Sequence, residues 1–224
     1  MTDPVLLVLN PNSTQAVTDH IAKAVAPLQH ADGPRIVCQT LTSGPPGIET
    51  QAHVDGITEK MMAWWEAHPQ RGQAAGLVIA CFSDPGLFAM REALSIPVIG
   101  CAEAAYHTAV AMGGRFGVIS ILSRSVPRHL RQIRQLGMDH LLAADLPIEV
   151  NVVNLGDEGL TFGRMQTVGE RLVREHGAQV VVMGCAGMAR YRRRLEDRLG
   201  VPVVDPTQAG VAMMMGRLRI AALP

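Results

Sequence analysis

Aromatic residues make up only 4% of this chain, and the 20 Lys and Arg residues are cancelled by 20 Asp and Glu. Without a basic excess or aromatics interleaved with one, no surface is suited to a phosphate backbone, and nucleic acid is excluded as a partner. A long apolar run is also missing. The stretch "AGVAMMMGRLRIAALP" near the end is broken by Arg217 and Arg219, too short to cross a bilayer. The opening "MTDPVLLVLN" carries Asp3 and too few consecutive apolar residues for a secretory signal, so a soluble, cytoplasmic protein is expected. Neither a Walker loop nor a GxGxxG occurs, which argues against a nucleotide. The four cysteines, Cys38, Cys81, Cys101 and Cys185, lack CxxC spacing and a companion histidine pattern. That excludes a structural zinc, and a reducing compartment disfavours disulfides. No cofactor and no metal are expected.

Hydrophobic residues supply 48% of the chain, enough over 224 residues to bury a substantial core. Short apolar runs alternate with helix-like segments. Strands are predicted at 5–10, 36–41, 76–81, 96–101, 116–121, 149–154, 179–185 and 201–205. Helices are predicted from Ser13 or Thr14 as N-cap to about residue 28, and over 53–67, 86–94, 103–112, 125–136, 159–176 and 190–199. Such alternation predicts an α/β fold built on parallel sheets.

The pattern repeats. "VIACFSDPGL" (78–87) and "VVVMGCAGMA" (180–189) each run from an apolar strand into a cysteine, and each is followed by a similar apolar run holding Pro97 or Pro202. "VLLVLNPNST" precedes the first as "FGVISILSRS" precedes the second. A duplicated unit explains why a thiol is placed twice at a strand end. Ligands of parallel sheets bind beyond the carboxyl ends of the strands, where Asn10–Thr14, Cys81–Asp84, Ser120–Ser123 and Cys185–Met188 all fall. If the halves face each other, both thiols meet in one cleft. Turn N–H groups and a helix N-terminus are expected to lower each thiol from its ordinary pKa of about 8.5 toward neutral pH. Two such groups on opposite sides of a carbon next to a carbonyl suit inversion: one thiolate removes the proton and the opposite thiol returns one. Reacting distances of about 3–3.5 Å on each side set the sulfurs roughly 7 Å apart.

The segments "NPNST", "GPPGIET" (44–50), "ACFSDPGL" (80–87), "PVIGCAEAA" (97–105), "GCAGMA" (184–189) and "VPVVD" resemble, in order, the hydantoin and allantoin racemases of the aspartate/glutamate racemase superfamily. The resemblance covers essentially the whole chain. It implies cofactor-independent racemisation at C5 of a hydantoin ring, with Cys81 and Cys185 as paired acid and base. It implies two pseudo-symmetric domains, each a parallel sheet flanked by helices, with the site in the cleft between them and the last helix returning to the first domain. Their expected extents are 1–99 with 208–224, and 100–207. Asn12, Ser13, Ile48, Phe82, Ser83, Ser120, Ala186 and Gly187 are the expected substrate contacts, the substrate a small hydantoin-like molecule, and the assembly a homo-oligomer. Where many relatives carry paired threonines this chain has Ser120-Ile121, so one hydroxyl is lost and a more apolar substituent is expected.

Other residues have plainer readings. Cys38 and Cys101 are expected to be small hydrophobes, and Met213–Met215 core filler. Asp84 is read as the cap of the helix that follows it, with Pro85 in the first turn, ahead of a role in tuning Cys81. Arg190 is read as a surface helix charge, and Trp64-Trp65 as packing one helical face or an oligomer contact. Glu103 points at the cleft or supports a helix N-terminus, two readings of equal weight. No arginine lies in sequence beside either cysteine motif to clamp an α-carboxylate, apart from Arg190, which disfavours a free amino acid as substrate. A decarboxylase or cis-trans isomerase of the same superfamily is the alternative reading, and a non-catalytic small-molecule binding protein is the third.

Overall fold

A computed structural model describes residues 4–222; the expectation attached to Asp3 lies outside the described residues. Two four-stranded sheets, every strand parallel, carry the fold. The first contains β1 (Val5–Asn10), β2 (Arg35–Thr40), β3 (Ala74–Ile79) and β4 (Val98–Gly100) in the order β2-β1-β3-β4. The second contains β5 (Phe116–Ser120), β6 (Leu142–Pro147), β7 (Val180–Met183) and β8 (Val203–Val204) in the order β6-β5-β7-β8. The helices are α1 (Gln15–Val25), α2 (Gln51–Gly56), α3 (Thr58–Ala67), α4 (Leu87–Ala93), α5 (Cys101–Gly113), α6 (Val126–Gln135), α7 (Glu158–Arg174), α8 (Arg192–Leu199) and α9 (Pro206–Ala221).

The repeated order has a direct consequence. In each sheet the chain leaves the first strand toward one edge and the third strand toward the other, so a crevice opens beyond the carboxyl ends of β1 and β3, and of β5 and β7. Every residue of β1 is buried, as a strand covered on both faces requires. Val5, Leu7, Leu9, Leu77 and Ile79 pack on Ile57, Met61, Trp65, Leu87 and Met90 of the α2–α4 layer. Leu6, Val8 and Val78 lie in a second cluster with Ile21 of α1, Tyr106 of α5 and Met214 of α9, which continues through Val118, Ile119 and Val182 of the other sheet. One apolar cluster therefore spans both sheets, and α9 returns to pack against β3 and α1 as well as α5.

Several local expectations are corrected. The sixth strand is Leu142–Pro147; residues 149–154 form a loop ending in a turn of 3-10 helix. Thr14 precedes α1 but does not cap it, because its hydroxyl donates to Pro46 O at 2.7 Å instead. Asp84 does not cap the helix that follows it. Its carboxylate accepts from the N–H groups of Ala102 and Glu103, both at 2.9 Å, and so caps α5. Of the two readings of Glu103 the helix N-terminus holds: it lies in the first turn of α5 and pairs with Arg91 at 2.9 Å. Of the three methionines, Met214 is fully buried while Met213 is exposed. Trp65 is buried and Trp64 packs on the His68 ring, centroids 4.7 Å apart. Cys101 is buried and Cys38 partly so, both as free thiols.

Candidate active site

The two strand-end cysteines meet. Cys81, two residues beyond β3, and Cys185, two beyond β7, line one pocket of about 420 Å³, part of it open to solvent. Gly100 and Gly184 make the approach to these turns possible. A Cβ on Gly184 would lie 2.6 Å from the Ile119 carbonyl oxygen, so only glycine lets the Cys185 turn pass over β5. A Cβ on Gly100 would overlap the Asp84 carboxylate, which sits in the Cys81 turn. Asp84 itself is held with φ at 40°, a left-handed conformation that Asp tolerates better than most residues. Its carboxylate also accepts from Gln132 Nε2 of α6 at 2.7 Å, tying the first half to the second.

The thiols are alike in setting. Each is partly exposed by area yet closely surrounded by protein, and the N–H group two residues on, Ser83 or Gly187, is directed at the sulfur. Those N–H groups favour a thiolate, and the Arg128 charge does the same at Cys81. Burial outweighs them, contrary to the expectation of near-neutral thiols. It pushes Cys81 up to about 12 and Cys185 up to about 11. Negative charge on Cys185 and Asp84 adds to the rise at Cys81, and Asp205 and Glu49 add to it at Cys185. In the resting cleft both groups are thiols at neutral pH.

Eight of the ten predicted residues line this pocket: the two cysteines with Asn12, Ile48, Phe82, Ser83, Ala186 and Gly187. Asn12 follows β1, and its amide is oriented by its own network. Oδ1 accepts from the Thr14 N–H at 2.9 Å and from Asn10 Nδ2 at 3.1 Å. Among the described residues Nδ2 has no acceptor, which leaves it a donor at the pocket. The two remaining serines are not lining residues. The Ser13 N–H donates to Pro45 O at 2.9 Å, fastening the loop that carries Ile48 into the pocket. Ser120 is fully buried, with its hydroxyl turned toward His129 and Asp145.

Ile121, which the sequence reading set in place of a hydroxyl, adds apolar surface, and residues that the reading did not single out extend the walls, among them Val152 as apolar surface and Arg128 and His129 as polar surface. The arginine absent in sequence from both cysteine motifs is thus supplied in space by α6. Arg128 donates to Glu49 O at 3.1 Å and to Ser125 Oγ at 3.2 Å, bridging the halves beside the pocket. The signal that could have located it is the duplication, since α6 follows β5 as α1 follows β1. Arg190 is exposed but not idle; it donates to the Leu155 and Gly156 carbonyls at 3.0 and 2.8 Å, bracing the 3-10 turn behind Cys185. Among the described residues no group of three His, Cys, Asp or Glu side chains is placed to hold a metal, and no helix is long and apolar enough to cross a membrane.

Comparison with known proteins adds the lineage. The family model described as Asp/Glu/Hydantoin racemase matches residues 6–214. The chain belongs to that family. It is therefore an enzyme, an isomerase of the racemase type. A hydantoin racemase of Paenarthrobacter aurescens is 36% identical over 211 residues, 91% of this chain and 86% of that one. The allantoin racemase of Klebsiella pneumoniae superposes with a TM-score of 0.91 at 32% identity, covering 98% of this chain and 89% of its own. The allantoin racemase of Pseudomonas fluorescens gives a TM-score of 0.91 at 26% identity, over 96% of this chain and 91% of its own. Glutamate racemase of Francisella tularensis, at 16% identity and a TM-score of 0.68, shares the fold.

Proposed function

We propose that this racemase inverts C5 of a hydantoin ring by proton transfer between Cys81 and Cys185, without a cofactor. The observation that carries the reading is the pairing of the two thiols. They occupy equivalent turns of two equivalent sheets, line the same pocket, and each receives an N–H from two residues on. A thiolate on one side takes the C5 proton, the electron pair moves into the neighbouring carbonyl, and the opposite thiol returns a proton to the other face. The sulfurs exchange roles when the other enantiomer binds, as microscopic reversibility requires.

The surroundings support a neutral cyclic amide. The free Asn12 Nδ2 is a donor for a ring carbonyl, and the unmatched apolar walls of Ile48, Ile121 and Val152 suit the 5-substituent. Raised thiols match the task. The base must be the minor, ionised form of one cysteine, and the acid the neutral form of the other. We take a soluble cytoplasmic homo-oligomer as the working form, and the domain limits as 1–99 with 208–224, and 100–207.

The test is optical-rotation decay of single-enantiomer hydantoins, allantoin included, in deuterium oxide under reducing conditions. Loss of rotation with one deuterium entering at C5 is expected for at least one member of the panel. Persistence of rotation in every member contradicts the reading, and carbon dioxide release from a substituted malonate under the same conditions would replace it with decarboxylation.

A further inference from the structure

Proton transfer between two cysteines passes through a state in which neither sulfur is charged. Once a thiolate has taken the C5 proton, both cysteines are neutral thiols and the ring oxygen carries the negative charge. Among the described residues that line the pocket there is no Asp, Glu or Lys, and Arg128 is the one arginine. A guanidinium keeps its charge at any working pH.

The partners of Arg128 are all neutral. Nη1 donates to Arg124 O at 3.2 Å, and Nη2 donates to Glu49 O at 3.1 Å and to Ser125 Oγ at 3.2 Å. Nε is sealed from solvent and has no acceptor among the described residues. The neighbouring arginines are engaged elsewhere: Arg124 pairs with the Glu49 carboxylate at 3.0 Å, and Arg131 donates to Gln51 Oε1 at 2.7 Å. Burial, Arg124 and Arg131 all oppose the charge on Arg128, and a Cys81 thiolate is the one group that favours it. A half-buried cation in such a setting is costly unless an anion joins it. The bonds to Glu49 and Ser125 fix the guanidinium in advance, as a group that meets developing charge requires.

We propose that Arg128 is the cation of the enolate: its guanidinium offsets the charge on the ring oxygen when C5 is deprotonated. This inference rests on the hydantoin reading above. The C5 proton goes to a thiolate sulfur, the electron pair of the C–H bond goes to the carbonyl oxygen, and Arg128 neither gains nor loses a proton. When Cys81 is the base, the same cation faces its thiolate beforehand, so the charge that leaves sulfur stays beside it. A neutral hydantoin carries no such charge, so Arg128 serves the transition state rather than ground-state binding. A planar anion of the same ring size is the ligand class that the pocket is expected to prefer.

Urazole is the probe. It is the hydantoin ring with an N–H in place of C5, and it is ionised at neutral pH. It therefore reproduces the enolate's charge between two neutral thiols and cannot turn over. Its binding is measured by calorimetry and by competition against a hydantoin that the wild-type enzyme racemises, with unsubstituted hydantoin as the neutral counterpart. Wild type is expected to bind urazole on the order of 100-fold more tightly than unsubstituted hydantoin. Arg128→Gln keeps a donor near Glu49 O and removes the charge. It should lose most of that preference, with kcat falling roughly 100-fold and KM for the neutral substrate little changed. Arg128→Lys keeps the charge and should retain more of both than Arg128→Gln. A purely structural arginine predicts that the two variants lose stability and activity alike, in a thermal melt and in turnover, while the preference for urazole persists; that result overturns the proposal. So does a wild-type enzyme that binds urazole no better than unsubstituted hydantoin, a comparison that needs no variant to fold. Failure of the wild-type enzyme on every hydantoin is seen before urazole is tried, and it refutes the substrate reading together with this one. Racemisation without a preference for urazole refutes this one alone.

Discussion

Replacing Asp84 with asparagine separates two opposing forces on one buried carboxyl group. Three donors surround it: the N–H groups of Ala102 and Glu103 and the amide of Gln132. All three favour the ionised form. Burial opposes them and is the larger effect, raising the carboxyl from 3.8 to about 7. Because the folded state holds the proton more tightly than the unfolded chain, this group contributes most to stability below pH 3.8, and the contribution is lost as pH rises through about 7. At 1.36 kcal/mol per unit, the loss between pH 4 and pH 8 is about 4 kcal/mol. The Asp84→Asn variant has no such titration, and the tolerance of asparagine for left-handed backbone leaves φ undisturbed. The hydrogen bond that an amide cannot accept there shifts the variant's stability by a constant amount. Asp205, also raised by burial to about 6, titrates in both proteins and cancels in the difference. Urea or thermal unfolding of Asp84→Asn and wild type across pH 4–8 is the assay. Wild type should lose about 4 kcal/mol relative to the variant over that range, or about 8–16 °C in relative Tm. A gap that is independent of pH means that the three donors match burial, and one that widens in favour of wild type as pH rises means that they outweigh it; either result refutes the reasoning.

Other consequences are equally direct. With the thiols pushed up to about 12 and 11, log kcat/KM should climb steadily from pH 7 to pH 10 as the base ionises. A plateau near pH 8.5, roughly the ordinary thiol value, would contradict that. Gly184→Ala places a Cβ against the Ile119 carbonyl, which has no room to yield. About 1–3 kcal/mol of stability and on the order of 100-fold in kcat should be lost as Cys185 is displaced, measured by denaturant melts and racemisation. Met214→Ala opens a cavity between α9 and β3 at a fully buried position and should cost about 2–5 kcal/mol, with kcat of the folded fraction unchanged at low temperature.

Much of this arrangement is readable from the chain because the strands that build it are buried on both faces. "VLLVLN" and "VVVM" are continuous apolar runs for that reason, and the cysteines follow where those runs stop. β6 is not readable. It is an edge strand, half-exposed along its length, and its sequence "LAADLP" carries the buried Asp145 where a sequence reading expects a surface residue. The alternation in "EVNVVN" mimics a strand, although it is a loop that sends Val152 into the pocket. Asp84 caps a helix other than the one its sequence suggests, since its partners, Ala102 and Glu103, are distant in sequence and reached only through the β4 crossover. Arg128 and His129 escape a sequence reading for a similar reason: they belong to a helix with no cysteine motif of its own, and only the facing of the two sheets brings them to Cys81. The low thiol pKa expected from turn N–H groups fails on magnitude, because desolvation of a buried sulfur exceeds what one N–H restores.

The duplication sets two equivalent strand-end thiols at one pocket, the arrangement that the proposed two-base inversion needs, since a racemase must treat mirror-image substrates alike. The departures from symmetry lie around the thiols: Ser83 against Gly187, and Arg128 on the Cys81 side alone.

The most direct test is C5 proton exchange by Cys81→Ser and Cys185→Ser in deuterium oxide, each measured on both enantiomers of a substrate that the wild-type enzyme racemises. Two-base transfer predicts that neither variant racemises and that each exchanges the C5 proton of one enantiomer only, the two variants choosing opposite ones. Racemisation at the wild-type rate by either variant, or exchange of the same enantiomer by both, would contradict it.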